Sequence, residues 1–138
     1  MRIARRFHFD AAHALGHHDG KCHRLHGHSY GLEVVLSGTP RLPEKGNAQS
    51  GFVTDFGVLR RIVQQELIDP YLDHRNLNDS IPDLPYTSSE YLAAWIMGWC
   101  LRFLEGRPEL GEARMLAVRV WESTESWAEA TREDAIWT

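Results

Sequence analysis

The sequence predicts an α+β fold, a four-stranded and largely antiparallel sheet with two helices. Three observations predict it. Apolar and polar residues alternate in stretches near both ends of the chain, and two apolar stripes at helical spacing lie between them. No repeat, low-complexity tract or linker divides the 138 residues. That length suits one domain, residues 1–138, with enough chain to bury a core.

Each element has its own reason. Ile3 to Phe9 alternates apolar and polar side chains, a half-buried strand. A His- and Gly-rich loop follows, from Ala14 to Arg24. From His26 the even positions read His26, His28, Tyr30, Leu32, Val34 and Leu36, so one face of a long strand runs from histidines into apolar side chains. Gly38 to Gly51 carries Pro40 and Pro43 and reads as a long hairpin loop, with Gly51 to Thr54 returning as a short strand. Asp55 or Thr54 then caps a helix whose buried face is Val58, Leu59, Ile62, Val63 and Leu67, ended by Pro70. Asp73 to Pro85 is a polar loop. Thr87-Ser88-Ser89-Glu90 fits a capping box for a second helix, with Leu92, Trp95, Ile96, Trp99 and Phe103 as its stripe and Gly106 and Pro108 as its stop. Met115 to Glu122 is the last strand, with Leu116, Val118, Val120 and Glu122 on one face. Four strands and two helices make a thin core, so neighbouring subunits are expected to complete one sheet face.

Composition narrows the function. The apolar fraction of 43% and charged fraction of 25% are those of a globular protein. A net charge of −4 argues against a nucleic-acid partner, which usually meets a basic excess. No apolar run approaches the ~18 residues a bilayer span needs. The start, Met1 to Phe9, carries three arginines and no secretory leader pattern, so a cytoplasmic protein without membrane attachment is expected. Cys22 and Cys100 form at most one disulfide. Cys100, on the face of a tryptophan-rich helix, reads as an inert buried thiol.

Seven of the eight histidines lie between His8 and His28. His26-Gly27-His28 is the sharpest feature: residues i and i+2 of a strand point the same way, so both imidazoles reach one ion. His13 is the candidate third ligand. Three neutral imidazoles with an open fourth position make a catalytic zinc arrangement, and Zn²⁺ is the expected cofactor. His8, His17, His18 and His23 are spare candidates that read as solvent-exposed loop histidines. Cys22, beside Lys21 and Arg24 and near a dication, is a candidate base, nucleophile or fourth ligand. Asp73-His74 pairs a carboxylate with an imidazole, as proton transfer requires. Glu122 ends an apolar strand face, either turning to solvent at the strand end or making paired hydrogen bonds to the N–H groups of a heterocycle.

Taken in order, Phe9-Asp10-Ala11-Ala12-His13, Cys22-His23-Arg24-Leu25-His26-Gly27-His28, Val53-Thr54-Asp55-Phe56, Leu72-Asp73-His74-Arg75-Asn76-Leu77-Asn78, Ser88-Ser89-Glu90 and Val120-Trp121-Glu122-Ser123 resemble the 6-pyruvoyltetrahydropterin synthase and 6-carboxytetrahydropterin synthase family. The resemblance implies a tunnelling fold, in which trimers form a barrel and two trimers stack into a homohexamer. It implies zinc on His13, His26 and His28, proton transfer by Cys22, Asp73 and His74, and Glu122 as the anchor of a pterin triphosphate in a site between subunits. Three residues separate Cys22 from His26, which resembles the bacterial 6-carboxytetrahydropterin synthases of queuosine biosynthesis; animal-type 6-pyruvoyl enzymes have a longer spacer. The implied reaction converts 7,8-dihydroneopterin triphosphate to 6-carboxy-5,6,7,8-tetrahydropterin with release of acetaldehyde and triphosphate. The alternatives are triphosphate elimination to a 6-pyruvoyl product, or a non-catalytic zinc-binding assembly module. The chain departs from the family pattern in its long Gly38 to Gly51 loop, at Thr87 where proline is usual, and at Ser123 where threonine is usual.

Overall fold

The computed structural model describes residues 1–136. In chain order its elements are β1 (Arg2–His13), β2 (His26–Ser37), α1 (Phe56–Val63), β3 (Arg75–Asn76), α2 (Leu77–Ser80), α3 (Ser89–Trp99), β4 (Arg114–Trp121) and β5 (Trp127–Ala130). They build one sheet in the order β3-β1-β2-β4-β5. All neighbours are antiparallel except β3, which runs parallel to β1. The α+β reading therefore holds, but the sheet has five strands rather than four.

The differences have local causes. Gly51 to Thr54 forms no strand; its neighbourhood is closed by Arg41, which donates to Phe52 O and accepts from Gly51 N, and Thr54 Oγ1 donates to Leu110 O at 2.8 Å. β3 and β5, at two and four residues, are too short to show a period in the sequence. β1 runs past Phe9 to His13, which places His13 directly opposite His26. On β4 the register skips Leu116, since Leu36 faces Met115 and Val35 faces Ala117. This bulge turns Met115, not Leu116, into the core, and then restores Val118 and Val120 to it.

α1 is capped by Asp55, whose Oδ1 accepts from Gly57 N at 2.7 Å and Val58 N at 3.4 Å. Pro70 does not end the helical run. Widened turns from Gln64 to Leu72 carry the chain past it, and Asp73 N closes the last turn on Ile68 O. For α3 the cap is Ser88, one residue later than the capping box predicted. Phe103 lies beyond α3 and is exposed, not part of the stripe.

The core fills the space between one sheet face and the helices. Phe7, Phe9, Leu32, Val34, Val118 and Val120 meet Leu59, Ile62, Leu67, Leu92 and Ile96 there. Each such side chain contributes about 1.5–3 kcal/mol when fully buried. α3 is buried nearly all round because the chain end also crosses it. Ile136 N donates to Ala94 O at 3.0 Å, and a Cβ at Gly98 would collide with the Ile136 carbonyl oxygen. Among the described residues, no helix is long and apolar enough to cross a membrane.

Candidate metal centre and acid–base pair

The core face of the sheet changes character at one end. Along β1 it reads Phe7, Phe9, Ala11, His13; along β2, backwards, Leu32, Tyr30, His28, His26. Strand alternation thus delivers three imidazoles to one place, with ring centroids 4.6, 4.9 and 5.1 Å apart. Glu122 follows β4 in the register position beside Tyr30, since Trp121 faces Gly31. Its Oε1 lies 3.0 Å from His28 Nε2 and 3.8 Å from His13 Nε2. One ligand atom from each of His13, His26, His28 and Glu122 lies within 4.8 Å of the others, so the group is able to hold a metal ion.

The hydrogen bonds decide which ring nitrogens face inward. His13 Nδ1 is 2.7 Å from Thr87 O, and His26 Nδ1 is 2.7 Å from Arg24 O. A carbonyl only accepts, so both Nδ1 atoms carry hydrogen and both Nε2 atoms offer lone pairs. The Nε2 atoms of His13, His26 and His28 are all buried without a hydrogen-bond partner, as is the Tyr30 hydroxyl. His13 and His26 Nε2 are orphaned acceptors, and His28 Nε2 has Glu122 Oε1 beside it; two orphans in a finished core would cost about 1–3 kcal/mol each. A cation removes that cost. Burial, and less strongly the neighbouring His26 and His28, push the His13 pKa down against the pull of the Thr87 bond and Glu122, which keeps the ring neutral as a ligand must be. The donor set, neutral nitrogens with a carboxylate oxygen, fits zinc.

Ser89 Oγ donates to Glu122 Oε2 at 3.0 Å and so steers the carboxylate from the start of α3. Thr87 serves His13 through its carbonyl and is itself buried. Sequence reasoning saw both residues only as helix-start residues. Nothing in residue type marks a backbone carbonyl as a ligand's partner.

The Asp73–His74 pair stands elsewhere. His74 has a left-handed backbone (φ 55°), and its N–H donates to Asp10 O at 2.6 Å. Asp73 Oδ1 accepts from Asp10 N at 3.0 Å, and Oδ2 pairs with His74 Nδ1 at 2.8 Å. The pair is thereby fixed to the outer edge of β1 at Asp10, whose side chain points away from the core face. The His74 ring is 78% exposed. Its hydrogen bond to Asp73 raises its pKa. Burial pushes the Asp73 carboxyl up, but the Asp10 N–H and His74 bonds outweigh this and hold it below its usual range. Cys22 is a free, half-buried thiol on the short helical turn Lys21–His23, and its Sγ is not among the converging ligand atoms. Cys100 is fully buried, and burial drives its thiol pKa far up, in keeping with an inert role. Within one chain, then, the three histidines and Glu122 come together, while Cys22 and the Asp73–His74 pair do not join them.

A family model described as 6-pyruvoyl tetrahydropterin synthase matches residues 2–133. The chain belongs to the 6-pyruvoyl tetrahydropterin synthase family. A 6-carboxy-5,6,7,8-tetrahydropterin synthase of Synechocystis is 46% identical over 94 residues, covering 68% of this chain and 70% of that protein. A dihydroneopterin monophosphate aldolase of Pyrococcus furiosus is 36% identical over 124 residues, covering 90% of this chain and 91% of its own. The fold matches the structure of Caenorhabditis elegans 6-pyruvoyl tetrahydropterin synthase with a TM-score of 0.72 at 25% identity, over 95% of this chain and 94% of that one. Membership makes the chain an enzyme of the tetrahydropterin synthase type, a pterin-related lyase family, rather than a non-catalytic module.

Proposed function

We propose that this synthase-family member is a zinc-dependent carbon–carbon lyase. It converts 7,8-dihydroneopterin triphosphate to 6-carboxy-5,6,7,8-tetrahydropterin, releasing acetaldehyde and triphosphate, in queuosine biosynthesis in the cytoplasm. The observation that carries the reading is the convergence of three buried Nε2 atoms and a Glu122 carboxylate oxygen within 4.8 Å of one another. The product assignment is supported by the 46% identity to a protein of that name and by the three-residue spacer between Cys22 and His26.

His13, His26 and His28 would hold zinc, which supplies Lewis acidity toward the side-chain oxygens of the substrate. Glu122, steered by Ser89, accepts from the amino and ring N–H groups of the pterin. Cys22 takes a proton from the substrate side chain as thiolate. His74 delivers or accepts the second proton, held by Asp73 in the charged form when needed. Lys21 and Arg24 flank Cys22 and suit the triphosphate.

These groups are apart within one chain, and His74 projects from a sheet edge. The reading therefore places the site between subunits, with His74 and Asp73 of one protomer serving the zinc and Cys22 of another. Among the described residues, the outer edge of β1 beyond β3 and that of β5 pair with no further strand, as a barrel of trimers stacked into a homohexamer requires. A second reading, retro-aldol cleavage of the same side chain, is favoured by the likeness to the Pyrococcus furiosus aldolase.

Product masses test the proposal. Incubation of the zinc-loaded protein with 7,8-dihydroneopterin triphosphate is expected to yield 6-carboxytetrahydropterin. A pterin that keeps all three side-chain carbons would instead assign pyruvoyl chemistry, and a hydroxymethyl pterin would assign the aldolase reaction.

A further inference from the structure

We propose that Asn78 is a positioning residue that locks the strand end carrying His13 and couples the metal centre to the acid–base pair. The inference rests on the metal reading given above. The segment from Asp73 to Asn78 is stitched to the backbone of residues 10–14 at successive points. Asp73 Oδ1 and the His74 N–H take the N–H and C=O of Asp10. Arg75 and Asn76 pair as β3 with Ala11 and Ala12. Asn78 then takes both backbone groups of Ala14: Oδ1 accepts from Ala14 N at 2.8 Å, and Nδ2 donates to Ala14 O at 3.1 Å. His13 lies between the last two stitches.

An amide side chain set against a peptide N–H and C=O is a two-point match. Aspartate keeps the acceptor and loses the donor, and alanine offers neither. Thr87 closes the other side, with its carbonyl on His13 Nδ1 and its Oγ1 on Ala14 O at 3.4 Å. The buried ligand is thus framed by Thr87 and Asn78, and Asn78 sits four residues after His74 on the same stitched segment. Asn78 is exposed, so water resolvates Ala14 when the amide is removed and the fold survives. What is lost is the fixed position of His13, which metal binding must then restore. Partners that orient ligands cost about 10–100-fold in metal affinity when removed, and an exposed one belongs at the lower end, about 10-fold. The converse follows by linkage: an ion on His13 stiffens Ala14 and, through Asn78, the segment that carries His74.

The test uses the full chain with zinc and cobalt as probes. Zinc affinity is measured against a competing chelator for wild type, Asn78→Ala, Asn78→Asp and the control Ser80→Ala, whose hydroxyl bonds Tyr71 O in the same region without touching β1. Asn78→Ala is expected to bind zinc about 10-fold more weakly with an altered cobalt absorption spectrum, Asn78→Asp to fall between, and Ser80→Ala to match wild type. Zinc is expected to slow amide exchange across residues 73–78 in wild type but not in zinc-saturated Asn78→Ala. Wild-type zinc affinity and cobalt spectrum in Asn78→Ala would overturn the inference while leaving the metal centre intact. A wild-type chain that binds no zinc would overturn the metal reading, and this inference with it.

Discussion

Removing His13 separates the stability that comes from the polypeptide from the stability that a bound metal would add. The side chain is fully buried, and its Nδ1 hydrogen is given to Thr87 O at 2.7 Å. Without metal, His13→Ala orphans that carbonyl and leaves a void, a loss of about 1–3 kcal/mol, partly offset because one orphaned Nε2 goes too. With metal the balance changes. A ligand bound only by the folded state, at a free concentration about 1,000-fold above its Kd, adds about 4 kcal/mol. For 138 residues the unfolding entropy is about 0.3 kcal/mol/K, so zinc should raise the wild-type Tm by about 14 °C. In His13→Ala only two imidazole ligands remain, and the zinc increment should shrink to a few degrees. Thermal melts of both proteins, with zinc and with excess chelator, give the four numbers needed. An equal zinc-induced rise in wild type and His13→Ala, or no rise in wild type, would refute the ligand assignment.

Three further outcomes follow from other contacts. Cys22→Ala and His74→Ala are each expected to keep zinc and lose about 10²–10⁴-fold in turnover, and mixing the two inactive proteins under subunit exchange should restore activity, as only a site shared between protomers allows. Glu122→Gln should weaken pterin binding, read by fluorescence titration, with zinc content unchanged; loss of zinc instead would make Glu122 a ligand. Glu105 accepts from Arg132 and, at 2.7 Å, from Met115 N beside the bulge, and the Arg132 bond lowers its pKa. A carboxyl lowered on folding contributes stability above its ordinary range and loses it as pH falls through the lowered value. Urea melts should therefore show wild type about 1–3 kcal/mol more stable than Glu105→Gln at pH 7, the gap closing on acidification; a gap independent of pH would rule out the carboxylate's part.

Much of the site was legible because it obeys strand alternation. His26 and His28 share a face with Tyr30 and Leu32 by period two alone, and the helix faces of Leu59, Ile62 and Leu92 follow from spacing. What the residues could not tell depends on register and main chain. Glu122 shares the face of Val118 and Val120 by period two, but that this face brings it to the imidazoles follows from the pairing of β4 with β2, in which Trp121 faces Gly31. Thr87 looked like a helix cap, yet its carbonyl is committed to His13 and the cap moves to Ser88. Asp73-His74 was legible as a pair, but its place on the edge of β1 comes from bonds to the Asp10 backbone, one from the Asp73 carboxylate and one from the His74 N–H, that the sequence pattern does not announce.

The most direct test of a catalytic zinc centre at His13, His26 and His28 is a titration. Metal-stripped protein receives zinc in steps while the 6-carboxytetrahydropterin and acetaldehyde formed from 7,8-dihydroneopterin triphosphate are counted. The account predicts no turnover without metal, then a linear rise that breaks at about one zinc per chain, with the two products in equal amounts. Full turnover in the stripped protein, or a pterin product formed without acetaldehyde, would contradict it.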